Sequence, residues 1–295
     1  MAKWILIICL VFSIGCSKDV EIDLENTKAL VLNSVFKPNE PFAFRISITA
    51  SLFNNYDSLN ENLHFSLFEE DKLVIDSILQ SSILETYLMP IPGKKYTVEV
   101  KSDNFPSIKA TDSIPNLVPI DTAYMIFPAG VDEFGGYKAE ACISFTDPAK
   151  ETNYYELLIS TFPGEINSWQ IEYETNDPVL LSEGDQDYHP TTFFFSDELF
   201  NGKQYTIKIK GGIAYQIQKD IIKPNPLYAT LRSVSRTYYK YRKYYTRHAF
   251  NQQFQNEFLD LIFKGEPQNM YTNVENGYGI FAGYCETTRE LIWNE

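Results

Sequence analysis

The chain has 295 residues, with 39 acidic against 25 basic side chains and a formal charge of −14. That balance excludes a nucleic-acid binder of the usual kind, which needs a basic surface to displace counterions from phosphates. The length suffices for two domains, each with its own core.

Taken in order, the chain opens with Lys3 and an apolar run from Trp4 to Ile14, closed by Ser13-Ile14-Gly15-Cys16. The run is shorter than the ~20 apolar residues of a membrane helix. A basic start, a short apolar stretch and a small residue before cysteine read as a bacterial lipoprotein signal peptide over residues 1–15. Cleavage would leave Cys16 as the lipidated residue, held to a membrane by more than one acyl chain. Residues 16–26, with Lys18, Asp19, Glu21 and Asp23, form an acidic tether.

From residue 27 to 114 apolar and polar residues alternate with period two, as in Phe42, Phe44, Ile46 and Ile48 or Tyr96, Val98 and Val100. Such runs are half-buried strands. Six or seven of them, with turns about every ten residues, predict an immunoglobulin-like β-sandwich. Pro115 and Pro119 stiffen the chain and mark a junction. Residues 115–295 then begin as a second β-sandwich, through Ala139 to Phe145, Tyr155 to Ile159 and Tyr205 to Ile209. Leu231, Val234, Tyr238, Tyr241 and Tyr245 fall at spacings of three and four, predicting an amphipathic helical segment over about residues 234–262, with Ser233 or Ser235 as N-cap. Strands return near Asn273 to Gly283, where Gly277, Gly279 and Gly283 suggest a close backbone approach. The expected fold is mainly β: two immunoglobulin-like β-sandwich domains, the second with a C-terminal amphipathic helix insertion.

Chemistry-bearing residues are sparse. There is no His-Glu-x-x-His, no Gly-x-Ser-x-Gly and no phosphate loop, so no catalytic residue and no cofactor is assigned. Glu183, Asp185 and Asp187 alternate and offer oxygens to calcium, or form a solvated acidic loop. Cys142 and Cys285 are the cysteines left beyond Cys16, either a disulfide in an oxidising compartment or two unpaired strand residues. Arg232, Arg236, Lys240, Arg242, Lys243 and Arg247 make a basic block interleaved with tyrosines, the last five of them the candidate partner contact. Two readings stand: the helix buries its tyrosines while cationic stems cover its flanks, or the block contacts an acidic partner or anionic headgroups. The many aromatics, 20 Tyr and 21 Phe, suit half-buried strands, with a sugar-stacking platform as the alternative.

Four pieces carry a family resemblance: the lipoprotein start; Phe145-Thr146-Asp147-Pro148 with Asn153-Tyr154-Tyr155; Phe195-Ser196-Asp197-Glu198-Leu199-Phe200-Asn201-Gly202-Lys203; and Asn273-Val274-Glu275-Asn276-Gly277-Tyr278-Gly279-Ile280-Phe281. Together they resemble an uncharacterised outer-membrane lipoprotein family of Bacteroidota, domain of unknown function 4249, commonly encoded beside TonB-dependent transporters. The resemblance transfers no catalytic residue. It implies an outer-membrane location, and Lys18, Asp19, Glu21 and Asp23 resemble the acidic export signal that directs such lipoproteins to the cell surface. The expectation is a non-catalytic, surface-exposed lipoprotein that serves a TonB-dependent transporter or another outer-membrane β-barrel complex as accessory or substrate-capturing subunit. Alternatives are a scaffold subunit of an outer-membrane assembly machine and a glycan- or peptide-acting hydrolase.

Overall fold

The computed structural model describes residues 28–49, 62–164, 173–184, 192–213, 215–218, 221–253 and 269–293. Seven strands precede the proline-rich junction: β1 (Leu30–Phe36), β2 (Ala43–Ile48), β3 (Leu63–Glu69), β4 (Lys72–Leu79), β5 (Ile83–Glu85), β6 (Lys95–Lys101) and β7 (Ile108–Ser113). After it come β8 (Ile120–Val131), β9 (Tyr137–Thr146), β10 (Tyr154–Ser160), β11 (Tyr173–Glu174), helix α1 (Pro178–Ser182), β12 (Thr192–Ser196) and β13 (Gln204–Gly212). The chain continues through β14 (Tyr215–Gln218), β15 (Ile221–Pro224), β16 (Tyr228–Val234), helix α2 (Arg236–Gln253), β17 (Tyr278–Glu290) and β18 (Ile292–Trp293). The protein is mainly β, as the alternation predicts.

One seven-stranded sheet, in the order β12-β10-β16-β17-β1-β2-β5, runs through the whole molecule. Its inner face meets two smaller sheets, β4-β3-β6-β7 and β11-β13-β9-β8-β18. The first core holds Leu32, Phe36, Phe44, Phe65, Tyr96, Val98 and Phe281; the second holds Ile143, Phe145, Tyr155, Leu157, Phe195, Ile207 and Leu231. Burying each such large side chain contributes on the order of 2 kcal/mol. Ile114 belongs to the first core and Val118 to the second. Between them the Pro115–Pro119 linker passes from one to the other.

The chain's last long strand departs from a simple two-block order. Val274, Phe281 and Cys285 return to the first core, whereas Leu291 joins the second. β17 pairs in parallel with β1, Gly279 opposite Leu32, and antiparallel with β16, Ser233 opposite Cys285. The glycines there permit contact that a side chain would prevent. A Cβ on Gly279, at φ +107°, would lie 2.0 Å from the Leu32 carbonyl oxygen, and one on Gly283 would lie 2.7 Å from that of Ser113.

Helix α2 begins where the Ser235 cap predicts: Ser235 Oγ accepts the Tyr238 N–H at 3.1 Å. It covers the outer face of the large sheet over β12, β10, β16 and β17, burying Phe194, Val234, Tyr238, Ile280 and Ala282 in a third cluster. Residues 254–262 of the expected helix lie outside the described residues.

Candidate functional site

Strand register builds an ion chain beneath α2. Glu156 on β10 stands opposite Arg232 on β16, which stands opposite Glu286 on β17. Arg232 donates to Glu156 Oε2 and to Glu286 Oε2, each at 2.9 Å. From the helix, Tyr238 donates its hydroxyl to Glu156 Oε2 at 2.7 Å and Arg242 reaches Glu156 Oε1 at 3.2 Å. Lys37, at the end of β1, extends the chain outward to Glu286 at 2.9 Å and Glu40 at 2.8 Å. Burial works to raise the carboxyl pKa of fully buried Glu156, but Arg242 and Arg232 outweigh it and hold the group below its ordinary value. Glu286 is likewise held low against burial, by Lys37 and Arg232.

The basic block is therefore largely internal. Arg242 belongs to the ion chain, and Lys243 pairs with Glu183 at 2.8 Å. Lys240 lies 5.6 Å over the Tyr271 ring, and Arg247 is half-buried. Arg236 is exposed at the first turn. Five neighbouring cations do not form one free basic face, because an 18-residue helix turns them toward different surroundings.

Glu183 also accepts from the Ser196 N–H at 2.9 Å, so it serves as an anchor between α1, β12 and α2. Asp185 and Asp187 lie outside the described residues, among which no group of three metal-ligating side chains occurs. Cys16, Lys18, Asp19, Glu21 and Asp23 also lie outside them. Of the two readings of the cysteines the unpaired one holds: Cys142 and Cys285 are both free. Cys142 sits on β9 of the five-stranded sheet beside Glu140, whereas Cys285 lies in the large sheet and donates its thiol to the Pro115 carbonyl at 3.2 Å. Burial pushes the Cys285 thiol up to about 11.

The motifs that carry the family resemblance hold the architecture together. Asp147, 2% exposed, accepts from the Tyr155 hydroxyl at 2.5 Å and the Gly202 N–H at 2.8 Å. Asp197, 1% exposed, accepts from the Asn153 N–H at 3.0 Å and Asn201 Nδ2 at 2.9 Å. Two widely separated sequence motifs thus close one knot at the β9–β10 and β12–β13 turns. Asn273 brackets Phe281, accepting its N–H at 3.0 Å and donating to its carbonyl at 2.8 Å.

A polar cleft of about 320 Å³ opens on the five-stranded sheet, with Glu140, Asn176, Tyr205 and Lys208 among its lining. Its Asp177 is engaged by Val179 N, Lys208 N and the Tyr205 hydroxyl, and the Thr206 and Ser144 hydroxyls bond each other. These groups are committed to structure rather than aligned as nucleophile and base.

The uncovered half of the large sheet offers a different surface. Segment 82–88 follows β2, with Thr86 N donating to the Phe42 carbonyl and Phe42 N to that of Leu88, each at 3.0 Å. Leu84 and Leu88 turn inward onto the first core. Ile83, Tyr87, Met89 and Ile91 turn outward, and Tyr87 is 100% exposed. Ile83 also lines an apolar groove of about 350 Å³ with Val35, Ala43, Tyr241 and Ile280, and Arg45 stands beside it. Strand β5 ends at Glu85, so Tyr87, Met89 and Ile91 are exposed on the loop that follows the sheet edge.

Comparison with known proteins adds one match. A family model described as "Domain of unknown function (DUF4249)" matches residues 17–290. No curated protein matches the chain.

Proposed function

The chain belongs to the DUF4249 family, and from that premise we propose that it is a non-catalytic accessory subunit of an outer-membrane β-barrel complex, a TonB-dependent transporter in the first instance. On this reading Cys16 carries the lipid, residues 16–26 are the tether, and the acidic residues behind Cys16 direct the protein to the cell surface. The two cores are two immunoglobulin-like sandwiches that share the seven-stranded sheet.

The observation that carries the proposal is the outward row Ile83, Tyr87, Met89 and Ile91 on the edge segment of that sheet. Ile83 stands on the edge strand with exposed Glu85 beside it, and Tyr87, Met89 and Ile91 follow in the loop. Such a cluster of exposed apolar side chains at a sheet edge suits a partner strand or groove. Tethering would raise the effective concentration of this edge at a barrel in the same membrane. Commitment of the family motifs to turns and strand contacts supports a binding role over chemistry.

Gentle detergent extraction of the lipidated protein, followed by mass spectrometry, tests the reading. The wild type should bring down a β-barrel protein, and Tyr87→Ser with Met89→Ser should reduce its recovery about tenfold. Recovery of the lipoprotein without any barrel protein would overturn it. Protease treatment of intact cells should cleave the protein if it faces outward.

A further inference from the structure

The β8–β9 hairpin ends in Val131-Asp132-Glu133-Phe134-Gly135-Gly136-Tyr137. Its backbone is closed on itself. Asp132 N donates to the Gly136 carbonyl at 2.8 Å and Gly135 N to the Asp132 carbonyl at 3.1 Å. Asp132 Oδ1 accepts from the N–H groups of Phe134 at 2.9 Å and Gly136 at 2.7 Å. Gly135, at φ +83°, takes the left-handed conformation that favours glycine and lets the turn close. Below the turn, Phe127 meets the Tyr137 and Trp293 rings edge-on at 6.0 and 6.4 Å, and Trp293 Nε1 donates to the Phe127 carbonyl at 3.3 Å. The tip therefore has one well-supported shape.

What it presents is Phe134, 89% exposed, beside Val131 at 59%. An exposed phenylalanine contributes nothing to its own fold. Held by a closed turn, however, it loses little conformational freedom on entering a pocket.

Charge identifies the pocket's chemistry. No Lys or Arg occurs from residue 129 to 137, and the tip's two ionic groups are Asp132 and Glu133. Asp132 is engaged by backbone, whereas Glu133 is exposed and has no ion pair among the described residues. An acidic tip on a chain of charge −14 is repelled by anionic headgroups, the opposite of a membrane-inserting loop.

We propose that the 131–137 tip is a second docking point that places Phe134 in an apolar pocket rimmed by Lys or Arg on a partner protein. It lies on the second core, away from the 83–91 edge of the first, so the molecule bridges two contacts.

The test uses the full-length lipidated protein with the photoreactive analogue p-benzoylphenylalanine in place of Phe134, irradiated in intact cells. The expected result is a discrete protein adduct whose cross-linked peptide contains Lys or Arg, with a yield falling about tenfold when Glu133→Lys is added. Adducts confined to lipid or to a second copy of this chain, a yield insensitive to Glu133→Lys, or no adduct would each overturn the proposal. Phe134→Ala should leave the melting temperature unchanged, which separates lost docking from lost folding. Barrel recovery that survives while the adduct fails would reject the tip and leave the proposed function standing; adduct formation without any barrel protein would do the reverse.

Discussion

Helix α2 covers the outer face of the seven-stranded sheet over β12, β10, β16 and β17, whereas no described element covers it over β1, β2 and β5, and the two halves differ in what they hold. Under helix α2 lie Glu156 and Arg232, charged and 0% and 5% exposed. On the bare half and its edge stand Val35, Ile83, Tyr87 and Met89, apolar and exposed. For these particular residues ordinary partitioning predicts the reverse, although α2 also buries Phe194, Val234, Ile280 and Ala282 and the open half also presents Arg45. Charges persist inside because strand register and the helix give Glu156, Arg232 and Arg242 opposite charges within 3.2 Å, whereas the exposed apolar groups form the surface proposed above for association.

The seam between the halves should be the most sensitive point. β17 pairs with β1 on one side and β16 on the other. Gly279→Ala combines a left-handed φ with collision against the Leu32 carbonyl. It should cost at least about 3 kcal/mol, seen as a lowered midpoint in urea unfolding. A change below about 1 kcal/mol would show that the seam relaxes freely.

On the covered half, Glu156→Ala leaves Arg232 and Arg242 buried without their shared carboxylate. A loss of about 3 to 5 kcal/mol is expected by the same measurement. Replacing Glu156, Arg232 and Arg242 together by leucine or methionine should cost much less, because no uncompensated charge remains.

Acid should resolve two opposed effects. Glu156 and Glu286 have lowered pKa values, so their stabilisation is complete above the ordinary carboxylate range and is lost as pH falls through their folded values. Asp112 is pushed up to about 6 by burial, against hydrogen bonds from Ser235, Gly283 and Ser113. Its ionised form is disfavoured in the fold, so it contributes rising stability as pH falls from 7 through 6 toward 3.8. Unfolding midpoints across pH 4 to 7 should flatten in Asp112→Asn and remain sloped in Glu156→Gln.

The bare half should show the smallest effect on stability. Tyr87→Ser is expected to shift unfolding by no more than about 0.5 kcal/mol, because Tyr87 is fully exposed. A larger loss would mean that the row supports the fold rather than a partner.

Much of this was legible in the residues. Alternation located β2, β6, β9, β10 and β13, the prolines located the passage between cores, and Ser235 capped α2 as its position suggested. Gly277, Gly279 and Gly283 signalled the close approach that β17 makes. Arg232 stood out with the basic block, whereas Glu156 escaped notice because, alone in its strand, it looks like a solvent-facing residue. The residues left the basic block open between an internal and a free reading, because Glu156 and Glu183, which neutralise part of it, are distant in the chain.

Sequence by itself determined the local half of the protein: which stretches extend, where they turn, where the helix begins, and which family the chain resembles. Those features depend on period, cap chemistry and backbone freedom within a few residues. Only the tertiary structure decided that residues 156, 232, 242 and 286 form one ion chain, that Cys142 and Cys285 remain apart, and that segment 83–91 becomes an edge. Each of these depends on which strands become neighbours across up to about 250 residues, and local pattern carries no information about that pairing.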